Sequence, residues 1–300
     1  MKINGAPIED THAECFEMHF ARLVVTGRSG KWVSEAAQAA VGCATSIIGC
    51  GCEAGLEALE DGFNTPDGRP GQKLLFFAKT RASLEKELIK RVGQVLLPTP
   101  TITVFNGVNE DAKGIGFELG KKIGFFGNGF QRDEDKYGRK CVVVPITSGE
   151  FVCEKTVGIA SGVGGANFWI YAESHKAGLR AAERAVDAIR SLPGLILPFV
   201  GGVVGAASKV GSVYPFLTAS TQEDFCPTVP AKKNPNRKLP DNVKAVFEIV
   251  IDAISPEIAK RAMREGINAA CIGGIKKIGA ANFNGKLGNI NIPLRELFSK

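Results

Sequence analysis

Histidine is scarce in this chain of 300 residues. There are three, His12 and His19 near the start and His175 in an expected strand-to-helix turn. A Ser-His-Asp hydrolase places its serine on a tight Gly-x-Ser-x-Gly elbow, and Ser208, in Ala-Ala-Ser-Lys-Val-Gly-Ser, is not on one. Long apolar runs are also missing. The apolar stretches are short and glycine-broken, so none reads as a membrane-spanning helix. No secretory leader is expected, because Lys2-Ile3-Asn4-Gly5 runs straight into acidic residues. A cytoplasmic location follows as the expectation. Blocks of basic charge are absent as well, since 37 Lys and Arg against 31 Asp and Glu leave only +6. Without a basic-aromatic sheet pattern, no nucleic-acid partner is expected. The cluster Lys232, Lys233, Arg237 and Lys238 is diluted by proline and asparagine. It fits a solvated loop or a contact to an anionic ligand.

The composition, 44% hydrophobic and 23% charged, is that of an ordinary globular protein of one large domain or two. Its eight cysteines are irregularly spaced and mostly sit in apolar runs, as buried thiols of a reducing compartment would. Cys43, Cys50 and Cys52 do not match a zinc knuckle, and no second Cys/His pair balances them. No metal site is expected.

Periodicity gives a repeated grammar. Residues 21–26 (ARLVVT) read as a strand, 31–42 as a helix closed by Gly42, and 44–50 (ATSIIGC) as a second strand. After the turn-rich 65–71 (TPDGRPG) come a strand at 73–78 and a helix with Ser83 as N-cap and Gly93 at its end. A strand at 101–105 completes the set. The second half repeats the order: strand 167–172, helix 176–192, strand 195–200, strand 243–251, a helix begun by Ser255-Pro256-Glu257, and strand 275–283. Each β-α-β-β-α-β set is the split β-α-β of a ferredoxin-like sheet with two helices on one face. The fold class is therefore α+β, with two ferredoxin-like lobes in pseudo-repeat, divided as 1–147 and 148–300. Residues 106–165 between the repeats carry IGFF (123–126), CVVVPI (141–146) and EFVCE (150–154), read as extra hairpins. Gly162-Val163-Gly164-Gly165 precedes a strand, where a dinucleotide fingerprint must follow one, and so reads as a turn. Gly124 to Phe130 is either a hairpin with buried phenylalanines or a floor for a planar ligand. The tail 288–297 reads as one more strand or short helix, crossing back onto the other lobe.

Residues 201–243 are too long for a plain connection between two core strands, and their apolar and hydroxyl content argues against disorder. This is the expected substrate insert of the second lobe. Its candidate binding residues are Gly201, Gly202, Ser208, Lys209, Ser212, Thr221, Phe225 and Cys226. Glu248 follows it, inside the apolar run VFEIVI. If that strand is buried around it, desolvation raises the carboxyl pKa and keeps a neutral acid available near pH 7. If the strand merely alternates, Glu248 points to solvent from an open sheet face.

Ten stretches carry a resemblance: CEAG (52–55), TPDGRPG (65–71), FFGNGFQ (125–131), GEFVCE (149–154), PFVGGVV (198–204), SKVGS (208–212), ASTQEDFCPT (219–228), EIVI (248–251), AMREGINAAC (262–271) and GKLG (285–288). In order and spread over the chain, they resemble formylmethanofuran:tetrahydromethanopterin formyltransferases, with GCGCEAG closer to the bacterial branch. The resemblance implies two ferredoxin-like lobes, a homotetramer, a cleft near subunit contacts, and no metal or prosthetic group. In bacteria it implies work within a formyltransferase/hydrolase complex. The substrates it implies are methanofuran, or a bacterial analogue, and tetrahydromethanopterin, with a formyl group passing between the carrier amine and N5 of the pterin. Glu248 matches the glutamate of the family's proposed mechanism. The rival expectation is a non-catalytic pterin-binding or scaffolding subunit. The chain departs from the family pattern at Asn128, Phe130, Val200, His175-Lys176, Ala281, Phe283 and Asn284, which would alter pterin or carrier contacts.

Overall fold

The computed structural model describes residues 1–108, 115–282 and 288–299. Phe283, Asn284 and most of the GKLG stretch lie outside the described residues. The chain is mixed α+β. Its strands up to the second long one are β1 (Lys2–Ile3), β2 (Ala6–Pro7), β3 (His12–Thr26), β4 (Glu53–Glu60), β5 (Gly71–Ala78), β6 (Thr103–Asn106), β7 (Ile115–Phe117), β8 (Arg132–Lys136), β9 (Arg139–Ile146), β10 (Gly149–Glu154) and β11 (Val157–Ala172). They continue as β12 (Leu195–Ile196), β13 (Ser208–Val210), β14 (Ala219–Thr221), β15 (Ala245–Ala253), β16 (Ile275–Gly279) and β17 (Ile290–Pro293). The helices are α1 (Gly30–Val41), α2 (Ile47–Cys50), α3 (Arg81–Arg91), α4 (Leu119–Gly124), α5 (His175–Arg190) and α6 (Pro256–Ala270).

Packing groups the chain into two compact units, Met18–Gly162 and Met1–Glu17 with Val163–Lys300. This grouping differs from a division at 147/148. Strands β3 and β11 run 15 and 16 residues, well beyond the usual strand length, and the unit boundaries fall inside them.

In the unit 18–162 the strand order is β4-β5-β3-β6-β10-β9-β8, antiparallel except where β6 meets β10. Helices α1 and α3 bury Ala36, Ala37, Leu84 and Leu88 in the same cluster as Leu23, Val25 and Phe76 of the strands. The TPDGRPG turn is tied down by its charges. Asp67 accepts from the Thr26 hydroxyl at 2.6 Å and pairs with Arg69, which also donates to Thr103 Oγ1 at 2.7 Å.

In the unit that carries 163–300 the order is β12-β15-β11-β16. Helix α6 starts as its sequence requires: Ser255 accepts from the Ile258 amide, Pro256 fills the first turn, and Glu257 sits where the helix dipole favours it. Phe247, Ile249, Ile251 and Ala253 of β15 join α5 and α6 in one core. Their neighbours Val246, Glu248, Val250 and Asp252 alternate to the opposite, helix-free face. Strand β17 pairs with residues 12–15 of β3, so the tail returns onto the beginning of the chain, inside the same unit.

Several expectations need correction. The segment 44–50 is not a strand: Ser46 caps the short turn α2, and Gly51 at φ +79° ends it. A four-residue apolar run does not distinguish strand from helix by itself. The cap of α3 is Thr80, which accepts from the Ser83 amide, and the helix winds on through Val92–Leu96 in π geometry past Gly93. IGFF forms α4 and a tight turn, while CVVVPI and EFVCE do pair as the hairpin β9–β10. Gly162 to Gly165 lie inside β11 and make a bulge there, with Gly165 at φ +74°. Phe125 and Phe130 are exposed, so that stretch is not a hairpin with a phenylalanine core. Only Leu195–Ile196 of the expected 195–200 strand pairs in the sheet.

Candidate functional site

The face of β15 that carries Glu248 is not open. Across the ladder, Trp169 of β11 stands directly opposite Glu248, and Tyr171 opposite Val246. The insert folds over this face: Leu239 and Val243 bury against Trp169 and Tyr171, with Ala207 and Phe225 packed around them. The Phe225 ring meets the indole edge-on with centroids 4.7 Å apart. Tyr171 lies on the far side of the same cluster, 6.1 Å from the indole, with the Lys277 ammonium 4.1 Å over its ring. The insert's first turn is fastened to the same strand. The Val204 amide donates to the Glu248 carbonyl at 2.8 Å, and the Glu248 amide returns a bond of 3.0 Å.

Glu248 is 9% exposed. Alternation thus does put it on the helix-free face, and burial nevertheless takes it out of water. Desolvation pushes its pKa from 4.5 up to about 7, with the Trp169 indole N–H pulling the other way. Tyr171 is pushed up too, by burial first and then by the charges of Glu9 and Glu248, so its phenol stays neutral. A carboxyl that exchanges its proton near neutrality in a dry setting is suited to general acid–base work.

The sequence candidates fall into three places. Phe225 is half-buried on the Trp169 cluster, and Cys226 beside it is half-buried, its thiol bonded to the Gln222 carbonyl at 3.4 Å and raised by burial. Ser208, Lys209 and Thr221 lie on the β13–β14 hairpin, where Ser208 pairs with Thr221, and Ser212 follows, accepting from the Tyr214 amide at 3.0 Å. Lys209 is engaged by Glu223, which that ammonium holds below the ordinary carboxylate range. Gly201 and Gly202 form the turn after Phe199, both at positive φ, +68° and +78°. Gly201 faces open space, whereas a Cβ on Gly202 would meet Leu197 and Val186 at 2.8 and 2.9 Å. Of the basic cluster, Arg237 pairs with Asp241 at 3.1 Å, and Lys238 reaches 3.9 Å from Asp224 and 5.8 Å from the centre of the Phe225 ring. Among the described residues no cluster of three or more His, Cys, Asp or Glu is placed to hold a metal ion.

Trp169 and Tyr171 were not singled out from sequence. The signal available was weak: two aromatics two positions apart in NFWIYA share one strand face, whichever face that is. At the departures, Asn128 takes a left-handed conformation (φ +52°), Val200 and Phe130 are exposed, and the His175 ring lies edge-on to Phe247 at 5.2 Å. The Ala281 amide donates to Asn167 Oδ1 at 2.8 Å, a contact its side chain does not enter.

The fold is α+β, and the site is a buried carboxyl with a raised pKa on a covered sheet face. Residues 1–146 match the family described as formylmethanofuran-tetrahydromethanopterin formyltransferase, and residues 149–297 match its proximal-lobe family. The formyltransferase of that name from Methanopyrus kandleri is 45% identical, with 99% of this chain and all of the relative covered. The one from Methylococcus capsulatus is also 45% identical, over the full length of both chains. Among solved structures, the formyltransferase of Methanosarcina barkeri superposes with a TM-score of 0.91 at 43% identity, covering 99% of this chain and 100% of the other. A chain of the formyltransferase/hydrolase complex (FhcABCD) of Methylorubrum extorquens, solved with methylofuran, gives 0.92 at 38% identity, covering 100% of this chain and 99% of that one. The chain belongs to the formylmethanofuran-tetrahydromethanopterin formyltransferase family.

Proposed function

We propose that this protein transfers a formyl group between formylmethanofuran, or a furan carrier of the methylofuran kind, and N5 of tetrahydromethanopterin. Full-length identity of 45% to enzymes of that name supports the reaction, and the buried Glu248 is the observation that carries the mechanism. Attack by one amine on the formyl carbon makes a tetrahedral oxyanion, and collapse expels the other amine. In the direction that forms formyl-pterin, neutral Glu248 protonates the departing carrier nitrogen as its bond to carbon breaks. The resulting carboxylate then takes the proton that N5 loses on acylation. The acid is restored, and one proton has moved from pterin to carrier. Hydrolysis is the competing reaction, and the cover of Phe225, Leu239 and Val243 over this face limits water.

The remaining site roles belong to the same proposal. Amides near Gly201 and Gly202, with Ser208, Ser212 and Thr221, supply donors to the oxyanion and the polar parts of the carriers. Lys209 meets a carrier carboxylate after exchanging it for Glu223, and Phe225 with Cys226 walls the reacting amide. The two β-α-β-β-α-β sets, meeting in sequence at 147/148, are ferredoxin-like lobes in this reading. The protein works in the cytoplasm without a bound prosthetic group, as a homotetramer or with other subunits of a formyltransferase/hydrolase complex. Among the described residues, no helix is long and apolar enough to cross a membrane. The test is a two-substrate assay with purified protein, formylated furan carrier and tetrahydromethanopterin. Formyl-pterin should accumulate without added partner subunits. Binding of both carriers without turnover would overturn the enzyme in favour of a scaffolding subunit.

A further inference from the structure

Trp169 is 2% exposed, and its Nε1–H has no well-formed hydrogen bond among the described residues, although it approaches Glu248 closely enough to pull that carboxyl's pKa down. An indole nitrogen can only donate, and a buried donor left unpaired is costly. Its cross-strand neighbours offer one acceptor side chain. Trp169 has two cross-strand neighbours, Gly279, which has no side chain, and Glu248. Asn167, two residues back on the same face, is committed: its amide nitrogen donates to the carbonyls of Gly165 and Ala281, and its oxygen accepts from the Ala281 amide. Phe225, edge-on to the indole, offers only a ring. Directly opposed side chains of an antiparallel pair stand close enough to touch, so small rotations bring the indole N–H onto the Glu248 carboxyl.

We propose that Trp169 is the positioning residue for Glu248, its indole N–H closing a hydrogen bond onto the carboxylate once the acid has given up its proton. A neutral acid carries little charge for that donor to satisfy, whereas a carboxylate carries a full one, and bonds to ionised groups are about twice as strong as neutral ones. The donor therefore favours the state Glu248 reaches at the proton-transfer step, and it holds the carboxylate in place to recover a proton from N5. Among the described residues, other charged or titratable groups lie around this cluster, the Cys226 thiol beside Phe225 among them, raised by burial. From β11 there is Tyr171, kept neutral. From β16 there is Lys277, ion-paired to Glu9 of the N-terminal segment. From the insert there is Lys238, near Asp224. Asp252, on the Glu248 face of β15, accepts from the Gly165 amide at 3.0 Å.

This inference rests on Glu248 being the acid of the proposed reaction, and its principal test does not depend on turnover. The chain has two tryptophans, Trp32 and Trp169, and Trp32 lies on α1 in the other unit. A Trp32→Phe variant therefore isolates Trp169. Its ultraviolet resonance Raman marker for indole N–H hydrogen bonding should strengthen as pH rises through about 7, and Glu248→Gln in the same background should abolish the change. In the transfer assay, Trp169→Phe keeps an aromatic ring but removes the donor. It should lower kcat by on the order of tenfold with KM little changed, and move the limb lost at alkaline pH upward by about one pH unit. A marker that stays flat, or that titrates identically with glutamine at 248, would overturn the assignment even if Trp169→Phe fails to fold. So would a Trp169→Phe enzyme whose alkaline limb does not move. A protein that transfers formyl groups with a flat Raman marker loses this inference alone. One whose Trp169 titrates with Glu248 but never transfers loses the proposed function instead.

Discussion

Exchanging Glu248 for glutamine should change how stability depends on pH, and the sign follows from the direction of its shift. The carboxyl ionises near pH 4.5 in the unfolded chain and near 7 in the folded one. Below about pH 4.5 both states hold the proton, and the group contributes no pH dependence. Between 4.5 and 7 the unfolded state has lost its proton and the folded state has not, so stability falls as pH rises. Above 7 the penalty levels off at about 3 kcal/mol, from about 1.4 kcal/mol per pH unit of separation. Glutamine has no proton to lose, and whatever its amide gains or loses in packing is constant with pH. Urea denaturation of both proteins between about pH 5 and about pH 8.5 should show the variant gaining about 2 to 3 kcal/mol on the wild type. Two stability curves that run parallel over that range would refute a buried, neutral Glu248.

Phe225→Ala should open the cover over Trp169 and let water reach Glu248. The pH profile of transfer should then shift toward ordinary carboxylate values, and stability should fall by about 1 to 2 kcal/mol, less than for a fully buried ring. Gly202→Ala should cost several kcal/mol, roughly 3 or more, because positive φ and contact with Val186 and Leu197 act together. Gly201→Ala should cost about 1, since only φ opposes it, and thermal melts of the pair read the difference. Lys209→Met should change stability by less than about 1 kcal/mol, as for an exposed ion pair. If Lys209 holds a carrier carboxylate, KM for the furan carrier should rise while kcat is kept, and an unchanged KM would remove that role.

What could be read from the sequence was local. Ser255-Pro256-Glu257 marks a helix start through capping and dipole chemistry alone, and α6 begins there. Most elements of the two repeats were legible because helix and strand periods differ, but the strand expected at 44–50 was misplaced: Ile47–Cys50 was too short to show a period, and the strand in that place is β4, Glu53–Glu60. GVGG is a bulge rather than a turn because β11 continues through it, which depends on a partner strand far away in sequence. The site divided along the same line. Glu248 stood out as a charge in an apolar run, but which way it points depended on the insert packing over the sheet. Trp169 acquires its significance only from register: it is the residue opposite Glu248, a fact about pairing between positions 79 apart, and no short motif records it. The poorly satisfied Nε1 likewise becomes visible only once its described neighbours are placed.

The most direct measurement is of the proton itself. Infrared difference spectra of wild type against Glu248→Gln isolate the C=O stretch of one protonated carboxyl, which can be followed as pH is raised. A band present at pH 6 and lost with a midpoint near 7 is the expected result. A band already gone by about pH 5, where an ordinary exposed glutamate is ionised, would contradict it.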